Sequence, residues 1–343
     1  MTHYSLALVG FGNVGRALAR LLLRKRAELQ DQHNLTFQIN GIATGRHGTA
    51  IDANGLDIQR ALELAENGQS ISDLNCLPGI GSVIGFIRSV PADVLFENSP
   101  VNHHTGQPAV DHLKAALQAG MHAITANKGP VVHALGELKA LASQQKHRFL
   151  YESTVMDGAP IFSLFRGPLP CAKLRGFRGI LNSCTNLILE RMEGGQSFDE
   201  AVAYAQSIGI TETDPSADID GWDAAIKVAA LATVLMGIPL KPQDVDRTGI
   251  RAINPTMLDE ARQSNRRWKL VCECTRLDGN VFARVAPEQV TAESALYSIG
   301  GTSSYVQFEL DVLPGLGIVE TNPGPETTAY GLLADLINAS RGM

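Results

Sequence analysis

The chain has 343 residues, 44% of them hydrophobic, and carries 29 Lys and Arg against 35 Asp and Glu for a formal net charge of −6. That length suits two domains, each able to bury a sizeable core. The mild acidic balance, with no long basic run, argues against nucleic acid or an anionic membrane surface as the main partner. The five cysteines (Cys76, Cys171, Cys184, Cys272 and Cys274) are odd in number and sparse, which predicts a reduced, cytoplasmic setting. No apolar stretch reaches the roughly 20 residues of a membrane span. Residues 5–10 make a short strand rather than the core of a secretory signal.

Residues 5–10 (S-L-A-L-V-G) read as a buried strand, followed by a glycine-rich turn and an apolar-periodic helix over 14–29. A second strand spans 35–43. The segment 44–80 is polar and glycine-punctuated, with a helix near 58–67. Then come a strand over 92–97, a helix near 108–119, a strand over 121–125, a loop over 126–129, a helix over 136–145 and a strand over 148–152. Strands alternating with helices of this length predict βαβ units and a parallel sheet. After 152 the pattern changes. A strand is expected at 176–181, helices at 186–192 and 198–208, a polar loop at 211–221 and a helix over 222–236. Residues 268–312 alternate apolar and polar, as antiparallel strands with one wet face do. A helix over 327–338 closes the chain.

Gly10, Phe11, Gly12, Asn13, Val14 and Gly15 form G-x-G-x-x-G directly between a strand and a helix. The glycines serve a tight turn, close approach to a pyrophosphate and helix–sheet packing, and the helix start offers N–H groups to phosphate. This context predicts a dinucleotide-binding, Rossmann-type doubly wound α/β domain. The acidic residue that usually holds the ribose is absent from the end of the second strand, which reads Ala43-Thr44-Gly45-Arg46. With Arg46 nearby a 2′-phosphate is tolerable, so NADP is preferred and NAD stays open. Arg46 could equally be a solvated loop arginine.

Residues 205–227 gather Glu212, Asp214, Asp218, Asp220 and Asp223, then Lys227. Asp223 and Lys227 are four apart on one helix and share a face. As an exposed pair they would contribute only ~0.3–0.5 kcal/mol. Their helix, A-A-I-K-V-A-A-L-A-T-V-L-M, is apolar nearly all round and so reads as buried. Acidic and amine groups kept there against their desolvation cost are functional candidates. Asp214 before Pro215 and Asp220 before Gly221 read equally as turn or cap residues.

This segment resembles the homoserine dehydrogenase signature: A-x-x-x-G, an apolar residue, a short spacer, D-P-x-x-D, an apolar residue, x-G-x-D and x-x-x-K. All its fixed positions are met between Ala205 and Lys227. Further likeness spans nearly the whole chain: Thr125-Ala126-Asn127-Lys128 to T-A-N-K, residues 179–186 to G-I-L-N-G-T-T-N, and residues 324–329 to the closing loop. The resemblance implies NAD(P)-dependent interconversion of L-homoserine and L-aspartate 4-semialdehyde in threonine and methionine biosynthesis. It implies that Lys227 and Lys128 flank the reacting carbonyl and handle its proton, and that Asp223 orients Lys227. Glu212 and Asp218 would receive the substrate ammonium, and Asn182, Ser183, Cys184 and Thr185 would hold the substrate. Asn98, Ser99, Pro100, Asn127, Gly324, Glu326 and Thr327 would line the nicotinamide. By position Glu152, Val155, Asp157 and Ala159 correspond to the ligands of a sodium ion in some members. The resemblance also implies a homodimer, a small-molecule substrate, no C-terminal regulatory domain, and two domains: 1–152 with about 320–343 for the dinucleotide, and 153–319, α+β, for substrate, catalysis and dimerisation.

Two departures stand out. N-G-T-T-N is here Asn182-Ser183-Cys184-Thr185-Asn186, and E-A-T-V-G-G-G is Glu152-Ser153-Thr154-Val155-Met156-Asp157-Gly158. An aldehyde dehydrogenase with Cys184 as nucleophile is one rival reading. A non-catalytic nicotinamide-binding sensor is another. The nine histidines show no close metal-ligand spacing.

Overall fold

The computed structural model describes residues 1–77, 81–211, 213–277 and 280–342. It resolves the chain into two units, Met1–Pro160 with Pro325–Met343, and Ile161–Gly324.

The first unit runs β1 (Thr2–Val9), α1 (Asn13–Arg24), α2 (Arg26–His33), β2 (Leu35–Ala43), β3 (Thr49–Ile51), α3 (Ile58–Glu66), α4 (Val83–Ser89), β4 (Val94–Glu97), α5 (Ala109–Gln118), β5 (His122–Thr125), α6 (Lys128–Gln145) and β6 (Phe149–Leu150). Its sheet has the order β3-β2-β1-β4-β5-β6, parallel apart from the antiparallel β3. Alternate residues of the strands face opposite ways. Leu6, Leu8, Val94 and Phe96 join Leu18 and Leu22 in one core, while Ala7, Val9 and Leu95 join Phe86 and Met121 in another. Burial on both faces is the mark of a parallel sheet covered by helices, and the expected doubly wound architecture is present.

Three boundaries differ from the sequence reading. The helix expected over 14–29 is two helices, because Lys25 leaves helical geometry at ψ 8°. The loop expected over 126–129 is shorter, because the Asn127 side chain accepts from the Gly129 N–H and starts α6 at Lys128. Pro130 is compatible with that start, since first-turn N–H groups need no helical partner. The strand expected over 148–152 keeps only two residues before a 3₁₀ turn at Glu152–Thr154.

The second unit runs α7 (Ile161–Arg166), β7 (Leu174–Ile180), α8 (Ser183–Glu193), α9 (Phe198–Ser207), α10 (Ser216–Ile219), α11 (Trp222–Leu235), β8 (Asp246–Arg247), α12 (Pro255–Gln263), β9 (Arg266–Leu277), β10 (Asn280–Thr291), β11 (Ser304–Leu310) and β12 (Leu316–Glu320). The sheet order is β12-β11-β7-β9-β10-β8, antiparallel except for the β10–β8 pair. Helices α8 and α11 pack against β9. The last helix, α13 (Pro325–Ser340), belongs to the first unit and packs on α1. Among the described residues no helix is long and apolar enough to cross a membrane.

Candidate active site

In the first unit the site begins where β1 ends. Gly10 turns the chain with φ +91°, open to glycine without strain, and a Cβ there would stand 2.5 Å from the Asn98 carbonyl oxygen. Gly15 packs against the Gly10 carbonyl in the same turn, and Phe11 is buried beneath it. Gly12 caps α1 without a side-chain bond to the first turn, and nothing lies within 4 Å of where its Cβ would sit. The first turn of α1 thus starts beside open space with no side-chain cap, and the positive end of the helix dipole lies behind it. That cradle fits a diphosphate.

The neighbouring strand supplies a second sign. Strands β1 and β4 are adjacent, although β2 and β3 lie between them in sequence. Such a switch point is where open α/β sheets bind ligands. Asn98, just beyond β4, has a buried side-chain amide whose Nδ2 and Oδ1 find no hydrogen-bond partner among the described residues. An unmet buried amide costs ~1–3 kcal/mol, and a bound group with a donor and an acceptor would relieve it. At the end of β2 the Thr44 hydroxyl is spent inside its own turn, donating to the Gly48 carbonyl at 3.1 Å and accepting from the His47 N–H at 2.6 Å. Arg46 projects from that turn, exposed.

Of the closing loop, Pro325 and Glu326 line a cavity of about 380 Å³ with Asn13 and Arg16. Gly324 has open space at its Cβ position. Thr327 and Thr328 donate their hydroxyls to the Asp157 carboxylate at 3.4 and 2.9 Å. Glu152 and Val155 are buried, and Met156 and Asp157 both adopt positive φ. Among the described residues no three His, Cys, Asp or Glu side chains come together as a metal site.

In the second unit the acidic segment folds onto the start of α8. Gly221 takes φ +79° and opens α11, on which Asp223 and Lys227 sit one turn apart. Lys227 Nζ lies 2.8 Å from Asp223 Oδ2, and the two side chains are only 17% and 15% exposed. Lys227 also donates to the Leu181 carbonyl at 2.7 Å. Asn182 caps α8, its Oδ1 accepting from the Thr185 N–H at 2.8 Å. The Asn182 Nδ2 group donates to Asp218 at 2.7 Å and to Asp223 at 3.0 Å, so one amide ties both carboxylates to the helix start. Thr211 donates to the second oxygen of Asp218 at 2.6 Å. Burial, and then the charge of Asp223, push the Asp218 carboxyl above its ordinary range. An incoming cation would favour its charged form again.

The fold thus brings together Asn182, Thr185, Asp218, Asp223 and Lys227. Ser183 lies beside them, its hydroxyl 3.2 Å from that of Ser304. Cys184 is buried, and burial, followed by the Asp218 charge, holds its thiol far above the usual range. A nucleophilic cysteine needs the opposite shift. Glu212 lies outside the described residues. Asp214 bonds the N–H and hydroxyl of Ser216 and serves a turn. Asp220 pairs with Arg251 at 2.5 Å. Sequence reasoning missed Thr211, although its place three residues before Asp214 in a polar loop offered a hint. It also missed the Leu181 carbonyl, for which no sequence signal exists.

Two family descriptions match the chain: "Homoserine dehydrogenase" over residues 160–337 and "Homoserine dehydrogenase, NAD binding domain" over residues 10–152. The chain is 37% identical to the NAD(+)-dependent homoserine dehydrogenase of Pseudomonas canavaninivorans, over 98% of this chain and 96% of that one. It is 35% identical to the homoserine dehydrogenase of Methanocaldococcus jannaschii, over 96% and 97%. Among solved structures it is similar to a hyperthermophilic archaeal homoserine dehydrogenase in complex with NADPH, with TM-score 0.84, 28% identity and coverage of 100% of this chain and 99% of that one.

Proposed function

The chain belongs to the homoserine dehydrogenase family, NAD(P)-dependent oxidoreductases of amino-acid biosynthesis, and on that premise we propose how its residues divide the work. Lys227 is the ammonium that meets the substrate's reacting oxygen. Asp223 and the Leu181 carbonyl aim it. As L-aspartate 4-semialdehyde is reduced, negative charge grows on the aldehyde oxygen; a positioned ammonium stabilises it and delivers the proton. In the reverse direction the amine takes up the proton of the homoserine hydroxyl. Lys128 is likewise assigned a proton-handling role. Asp218 and Glu212 receive the substrate ammonium, and Asn182 to Thr185 hold its backbone end. The nicotinamide, when bound, supplies or accepts the hydride. The uncapped start of α1 and the unmet Asn98 amide are the chain's own groups for holding the dinucleotide.

One relative is named as NAD(+)-dependent and one solved neighbour contains NADPH. For this chain we assign NADP as the preferred coenzyme, because no carboxylate directly follows β2 and Arg46 in that turn is exposed and makes no ion pair among the described residues. NAD is the competing coenzyme.

The observation that carries the catalytic assignment is the Asp223–Lys227 pair, largely shielded from water on an apolar helix and tied through Asn182 to Asp218. Lys227→Met keeps the stem and removes the charge. Turnover of L-homoserine, followed by reduced nicotinamide absorbance, should fall by about 10²–10⁴ while dinucleotide binding stays near wild type; the melting temperature should fall too, because Asp223 loses its ion pair. Wild-type turnover in that variant ends the assignment.

A further inference from the structure

We propose that Glu97, His112, Thr125 and Asn127 form a buried positioning network that sets the angle of Lys128 and ties it to the Asn98–Pro100 loop. The inference rests on the reading of Lys128 as a proton-handling residue and deepens it.

All four side chains are buried. Glu97, the last residue of β4, is buried completely, and a carboxylate there is tolerable only if its oxygens are bonded. Its Oε1 accepts from the Ser99 N–H at 3.2 Å, from the Ser99 hydroxyl, and lies 3.2 Å from His112 Nδ1 on α5. Thr125, the last residue of β5, donates its hydroxyl to the Glu97 carbonyl at 2.8 Å. The same Thr125 oxygen accepts the Asn127 N–H at 2.9 Å. Asn127 then spreads in two directions. Its Oδ1 accepts the Gly129 N–H at 3.0 Å and caps α6, while its Nδ2 donates to the carbonyls of Ser99 at 3.0 Å and Pro100 at 3.3 Å.

Lys128 is the first residue of α6, so its Cα–Cβ direction follows from how that helix starts. The start is set by Asn127, Asn127 by Thr125, and Thr125 by the end of β4. The same amide that caps the helix grips the loop after β4. One connected set of bonds therefore fixes an amine and the loop next to the Gly10 turn, both at the carboxyl ends of parallel strands. A helix cap alone would need only Asn127 Oδ1. The buried acid, the histidine behind it and the bridging hydroxyl exceed that need, and their common effect is to hold Lys128 and the Asn98–Pro100 loop in one geometry.

The decisive variant is Thr125→Val, nearly isosteric, which removes the bridging hydroxyl and touches no reacting group. Misplacement of a reacting group by about 1 Å can cost ~10²-fold, so kcat should fall between about ten- and a hundred-fold with the L-homoserine KM little changed. Thr125→Ser restores the hydroxyl and should recover most of the rate. Lys128→Met is the control. If it turns over like wild type, the role of Lys128 fails and the inference with it. If Lys128→Met is inactive while Thr125→Val keeps wild-type kcat, or while Val and Ser lose rate equally, the positioning network alone is overturned. Should Thr125→Val not fold, Asn127→Asp serves, since it keeps the cap and loses both bonds to the loop. A lowered kcat with the coenzyme KM unchanged supports the network there, and a wild-type kcat, or a loss that appears only in the coenzyme KM, overturns it.

Discussion

A single arginine tests the coenzyme assignment. The turn after β2 is closed by Thr44, whose hydroxyl proton is spent on the Gly48 carbonyl and is not available to donate to a ribose. Arg46 extends from this turn with no ion pair among the described residues. If it meets a 2′-phosphate, it forms a charge-assisted contact of about 1.5–3 kcal/mol, or roughly 10- to 100-fold in affinity. Arg46→Ala should then lower kcat/KM for NADP+ by about tenfold or more and leave NAD+ within about twofold. Steady-state rates with both coenzymes check this. An unchanged NADP+ rate would return Arg46 to the role of a solvated loop side chain.

At the scale of elements, one lysine shows how a strand and a helix are joined. Lys269 of β9 is buried, and its Nζ donates to Asn186 Oδ1 of α8 at 2.8 Å and to the Ile299 carbonyl at 2.5 Å. Asn186 in turn donates to the Gly301 carbonyl at 2.9 Å. Burial, helped by the charge of Arg267, lowers the amine from 10.5 to about 8. Below pH 8 the amine is charged folded and unfolded, and the fold bears the full desolvation cost. Between 8 and 10.5 only the unfolded chain holds the proton, so stability rises with pH. From pH 7.5 to 10 this amounts to about 2–3 kcal/mol. The melting-temperature difference between wild type and Lys269→Met should move in favour of wild type over that range. A constant difference would mean that the amine does not titrate there. The sequence hid this pin, because K-L-V-C-E-C reads as simple strand alternation and the partners lie 83 and 30 residues away. Local patterns were legible: β2 occupies the residues expected of it, and Asp223 and Lys227 meet as their spacing implies. Where long-range bonds decide, as for the grip of Asn182 on two carboxylates 36 and 41 residues away, residue type alone could not say.

At the scale of the whole molecule, the sheet of the second unit poses the remaining question. Its outer strand β12, L-G-I-V-E, has one paired side and one open edge. Val319 on that strand and Val312 and Leu313 just before it are all substantially exposed. Open edges with apolar side chains invite pairing, and soluble proteins normally cover or charge them. If a second copy of the chain covers that edge, a twofold axis lets one self-complementary patch bury itself. The mass in sedimentation equilibrium should then be twice 36.7 kDa, about 73 kDa, at micromolar concentration. Val319→Lys places a charge on the edge and should lower that mass toward the single chain without unfolding it. A wild-type chain that sediments as a monomer rules out the dimer. A Val319→Lys variant that stays at the doubled mass moves the interface away from β12.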